Sequence, residues 1–113
     1  MERQPSYLIP VNFSLTERAR NWIRDMTEQC RAEENIDVIP AISWATALKE
    51  PEGAWHEISG PCVGIFDRSK LPPNAIQNLD SIELVFNVPA EQVLLFEGRV
   101  IDFSEERGIH FAD

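Results

Sequence analysis

The chain has 113 residues, 43% hydrophobic and 26% charged, enough for one hydrophobic core and too few for two, so residues 1–113 are expected to form a single domain. Ten Lys and Arg oppose nineteen Asp and Glu, a formal net charge of −9. That balance disfavours nucleic acid and anionic membranes, where clustered positive charge drives affinity, and leaves a basic partner as the favoured kind.

Met1-Glu2-Arg3-Gln4-Pro5-Ser6 lacks the apolar h-region of a secretory signal. The longest apolar run, Val93 to Phe96, is far short of the ~20 residues that span a bilayer. Cys30 and Cys62 are too few to staple a secreted fold, so reduced thiols in a cytoplasmic protein are expected.

Tyr7-Leu8-Ile9-Pro10-Val11 reads as a short strand at a sheet edge, because Pro10 cannot donate to a ladder. Ser14-Leu15-Thr16-Glu17 has the pattern of a capping box, with Ser14 as the N-cap. Behind it Leu15, Ala19, Trp22, Ile23, Met26 and Cys30 recur at helical spacing and predict one helix over about 15–32 with a single apolar stripe.

From Ile36 the pattern turns to strands. Asp37 to Lys49 places Ile42, Trp44, Thr46 and Leu48 on one face and Ala41, Ser43, Ala45 and Ala47 on the other. Glu50-Pro51-Glu52-Gly53 signals a turn. Ala54 to Ile58 reads as the returning arm, Ser59-Gly60-Pro61 as a break, and Cys62 to Phe66 as a further short strand.

The stretch 67–75 reads as a loop, and Ile82 to Val88 as a core strand, with Ile82, Leu84, Phe86 and Val88 on one face. Pro89, Glu91 and Gly98 bracket a predicted short helix at 90–97 that turns Val93, Leu94 and Phe96 inward. A hairpin closes the chain: Val100-Ile101-Asp102-Phe103, a polar turn ending at Gly108, and Ile109-His110-Phe111. The expected class is α+β, a helix packed on a mostly antiparallel sheet or sandwich.

Three blocks carry a family resemblance. Phe13-Ser14-Leu15-Thr16-Glu17-Arg18-Ala19 resembles the Leu-Thr-Glu-x-Ala helix opening of the A-type iron–sulfur carriers, the HesB-like family. Ser81-Ile82-Glu83-Leu84-Val85-Phe86 is similar to that family's strand before its short helix. Phe96-Glu97-Gly98-Arg99-Val100-Ile101-Asp102-Phe103 with Gly108-Ile109-His110-Phe111 resembles its closing hairpin.

The resemblance implies a HesB-like fold without carrying over the family's chemistry. The first cluster ligand of those carriers sits in a Gly-Cys-Ser-Gly motif, and the matching Ile42-Ser43-Trp44-Ala45-Thr46 has no thiol. Their other two ligands lie in a Cys-Gly-Cys tail, whereas this sequence runs to Asp113 with no cysteine after Cys62. A cluster needs several converging thiolates, so no cofactor is expected.

Other chemistry has sparse material. Cys62, between small residues, and His56, six residues before it, are the candidate catalytic pair, if a bend at Ser59-Gly60 brings imidazole to thiol. The commoner role of such a cysteine is that of a small buried hydrophobe. His56 and His110 belong to no spacing typical of a metal site, and His110 alternates away from Ile109 and Phe111 toward solvent, so no metal site is expected.

Trp44 and Trp55 flank the turn and are the candidate binding residues, an aromatic pair across a hairpin. The expected function is a non-enzymatic HesB-like scaffold that binds a protein or small ligand, homo-oligomers included. A thiol enzyme using Cys62 and His56 and a small acidic inhibitor or immunity-type protein are the alternatives.

Overall fold

The computed structural model describes residues 9–49 and 52–112, with backbone alone at 46–49 and 55–59. The architecture is α+β. Helix α1 (Glu17–Glu34) packs with two mixed sheets built from β1 (Ser14–Leu15), β2 (Val38–Lys49), β3 (Trp55–Asp67), β4 (Gln77–Leu79), β5 (Ile82–Phe86), β6 (Val100–Ser104) and β7 (Gly108–Phe111). One sheet has the order β3-β2-β5-β4 and the other β1-β6-β7. The β2–β5 and β1–β6 pairings are parallel, and the rest are antiparallel.

The helix begins later than its capping pattern predicts. Ser14 and Leu15 are drawn into a parallel bridge opposite Val100 and Ile101, so Ser14 is exposed in a strand and Thr16 is the N-cap, accepting from Ala19 N at 3.2 Å. Both residues have a hydroxyl suited to capping; the bridge to β6 decides between them. Asn35 in the left-handed region ends the helix, its N–H donating to Arg31 O at 2.9 Å.

Ala19, Ile23 and Thr27 form the buried centre of the helix stripe. Thr27 is accommodated because its hydroxyl donates to Ile23 O at 2.7 Å. Trp22, half-buried, stacks on Phe103 with ring centroids 4.9 Å apart. Cys30 is also half-buried on the flank of the stripe.

The break predicted at Ser59-Gly60-Pro61 is a bulge inside one continuous strand. Ala45 pairs with Gly60 and Ala47 with Glu57, so residues 58 and 59 together oppose Thr46. Because β3 is an edge strand, Pro61 interrupts no ladder on its open side. Ile9 to Val11 form no strand; Tyr7 and Leu8 lie outside the described residues. Gln77 acts in the strand's stead, its Nε2 donating to Ile9 O (2.8 Å) and its Oε1 accepting from Val11 N (2.9 Å).

The β4–β5 hairpin turns on Asp80 and Ser81, both at positive φ, as a two-residue turn of the I′ type requires. The main core joins Phe13, Leu15, Ala19, Ile23, Ile42, Leu84, Phe86, Phe96 and Ile101. Its centre is aromatic: Phe86 meets Phe13 and Phe96 edge-on, both at 5.0 Å. A smaller cluster of Ile39, Ala41 and Val85 covers the opposite face of β2 and β5.

Residues Ala90–Leu95 form a 3-10 helix where an α-helix over 90–97 is predicted. Phe96 is buried, but Leu94 faces outward at 73% exposure. The segment is tied down between the buried Val88 and Phe96. A 3-10 helix rises about 2.0 Å per residue against about 1.5 Å for an α-helix, so it bridges fixed ends with fewer residues.

Candidate functional site

Cys62 sits on β3 opposite Ser43. It is a free, half-buried thiol, and burial pushes it above the ordinary thiol range despite a hydrogen bond with the Ser43 backbone. His56 stands opposite Leu48 on the same unbroken strand. Six residues of extended chain are roughly 20 Å, and the bulge between them leaves the strand continuous, so the backbone does not bring Cys62 and His56 together.

The two tryptophans are also apart in register: Trp44 opposes Pro61 and Trp55 opposes Lys49. Trp44 instead joins the core aromatics, meeting Phe96 edge-on at 5.8 Å and Phe111 at 6.0 Å. His110 opposes Asp102 and lies half-buried, its Nδ1 2.8 Å from Gly108 O; the expectation that it faces solvent holds only in part. Among the described residues no three of His, Cys, Asp and Glu are grouped to hold a metal.

The polar side chains that do converge carry little marking in the sequence. Asp102 accepts from Thr16 Oγ1 (2.7 Å), Arg18 Nε (2.7 Å) and Phe103 N (2.8 Å) on Oδ1, and from Arg18 Nη2 (2.6 Å) on Oδ2. Those donors, Arg18 first and Thr16 next, hold its carboxyl far below the usual carboxylate range. The cluster locks the start of α1 to β6.

A second set lies at the other end of the helix. Arg31 donates to Val38 O at 2.9 Å and faces Asp37 at 3.4 Å, while Arg68 pairs with Asp37 at 2.8 Å and, through both terminal nitrogens, with Glu83 at 2.9 and 3.2 Å. The Arg68 pairing lowers the Glu83 carboxyl below its ordinary value.

Beside this relay a cleft of ≈190 Å³ opens between α1 and the β4–β5 turn, walled by Arg24, Glu28, Arg31 and Glu83 over Ile39 and Ile82. Its two guanidiniums face two carboxylates, so it has no net preference for an anion or a cation. Arginine in the last helical turn and a charged residue after β3 are the only sequence signals for this relay, and both are common.

Among the described residues no helix is long and apolar enough to cross a membrane. No family model and no curated protein matches the sequence. Among solved structures the chain is similar to a protein from Aquifex aeolicus, determined in solution by NMR as a target of the Northeast Structural Genomics Consortium. The TM-score is 0.51 at 17% identity, covering 99% of this chain and 96% of that one. At that identity the likeness concerns the fold alone.

Proposed function

We propose that this chain is a non-enzymatic binding module on a HesB-like scaffold without the family's cluster site, working in the cytoplasm on a protein or small ligand. The observation that carries the reading is the region where the family resemblance implies the first cluster thiolate. It is Ile42-Ser43-Trp44-Ala45-Thr46, in which Ile42 is fully buried and Trp44 packs on Phe96 and Phe111. The segment offers no thiol, and two of its side chains are committed to the core, which supports the reading.

The thiol-enzyme alternative has less support, since Cys62 is raised by burial and lies on one extended strand with His56. A reactive cysteine needs the opposite shift.

Anaerobic reconstitution with iron and sulfide, followed by desalting, tests the proposal. The protein should emerge colourless. Stable absorbance in the cluster bands at about one cluster per chain or per dimer would overturn it.

A further inference from the structure

The segment that follows β5 is unusual in three separate respects. Ala90–Leu95 is a six-residue 3-10 helix, longer than the three or four residues such a helix ordinarily holds. Asn12 Oδ1 and Gln92 Oε1 are buried there and find no donor among the described residues. Asn12 is fixed against the turn by its other amide atom, Nδ2 donating to Val93 O at 3.0 Å, and by Gly98 N donating to Asn12 O at 3.0 Å. Leu94 and Leu95 are 73% and 44% exposed, with the exposed Glu91 and Glu97 on either side of them.

We propose that this turn is a docking surface for a partner protein, and that it takes an apolar segment flanked by Lys or Arg. The proposal rests on the reading of the chain as a binding module and names its partner chemistry. The leucines offer apolar area, and the glutamates at either end select a cationic flank. The net charge of −9 steers such a partner inward at low salt.

A second copy of this chain is the poorer occupant. A two-fold contact through the same patch would crowd Glu91 and Glu97 against their own images. The two acceptors fit the same role. A partner that opens the turn can bring donors to oxygens that lack them.

The test uses the full chain labelled with nitrogen-15 and a fluorescent amphipathic peptide with leucines at i, i+3, i+4 and i+7 and lysine flanks. A control peptide replaces the lysines by glutamates. Shift changes should gather at residues 88–97 and Asn12. The basic peptide should bind at least about tenfold more tightly than the acidic one at low salt, and its affinity should fall as salt rises. Leu94→Asp, and separately the pair Glu91→Lys with Glu97→Lys, should each weaken binding about tenfold with thermal unfolding unchanged.

Equal binding of the two peptides, shifts elsewhere, or no binding would overturn the proposal. So would a concentration-dependent dimer in sedimentation that Leu94→Asp dissolves, which would assign the surface to a second copy. Cluster reconstitution on the same preparation separates the two readings, because a retained cluster counts against the lost cluster site alone and leaves the peptide map as the judge of this surface.

Discussion

Two places in this molecule surround side-chain oxygens with opposite results. At the start of α1, Asp102 receives four donations, from Thr16, Arg18 and the Phe103 backbone, and joins helix to sheet. Under the turn at Ala90–Leu95, Asn12 Oδ1 and Gln92 Oε1 are buried with no donor among the described residues. A satisfied polar network fixes one arrangement, and an acceptor buried without a donor carries an unmet desolvation cost. The difference marks the helix junction as a completed tie and the turn as the place where polar atoms are still open to a new donor.

Substitutions can break or sharpen that contrast. The largest effect is expected at Phe96, the buried anchor that holds the turn to the core. Phe96→Ala should cost about 3–5 kcal/mol, read by chemical denaturation. A cost below about 1 kcal/mol would show that the turn is not anchored through this ring.

Asp102 gives a pH signature. Its folded carboxyl is held below its unfolded value, so its contribution is complete above the unfolded value near ~3.9 and is lost as pH falls from there through the folded value. Denaturation midpoints should drop on acidification below about pH 4, and Asp102→Asn should flatten that part of the curve. An unchanged slope in the variant would remove Asp102 as the acid-sensitive tie.

A smaller effect separates the two candidate caps. Thr16→Ala should cost about 1–2 kcal/mol, because the Ala19 N–H loses its acceptor and Asp102 loses one of its four donations. Ser14→Ala, exposed in β1, should stay within about 0.5 kcal/mol. The reverse order would restore Ser14 as the cap.

The smallest effect is expected at Leu94, two residues from Phe96 and mostly exposed. Leu94→Ser should stay within about 0.5 kcal/mol by thermal or chemical unfolding. A large loss would mean the residue supports the fold and is not held out for contact.

What the sequence discloses follows its periodicities. The helix stripe centred on Ala19 and Ile23, the alternation of Ile82, Leu84 and Phe86, and the closing hairpin are local patterns that the fold keeps. Even the failure of the Trp44–Trp55 pairing is arithmetic. A turn centred near Glu52 puts Lys49 opposite Trp55, and once the bulge adds a residue Trp44 meets Pro61.

The rest depends on distant partners. Ser14 loses its capping role to a bridge with Val100, and Ala90–Leu95 takes 3-10 form because its ends are fixed by the core. Asp102 is one carboxylate among nineteen acids until the fold sets Thr16 and Arg18 beside it. Of the candidate residues, Cys62, His56, Trp44 and Trp55 stand out by type, yet none of the pairings their spacing invites is made by the register.

The bridge between Ser14 and Val100 also sets an order of events. Thr16 and Asp102 are 86 positions apart, so the tie between the start of α1 and β6 cannot close before residue 102 has been made, although the cap on Ala19 N is local. Contacts of such separation slow folding, because a long loop closes before they return any stabilisation. Helix α1 can form early and pack on β2, but its seat on β6 is assembled only once β6 and β7 have been made, and part of its apolar stripe stays open to solvent or a chaperone until then.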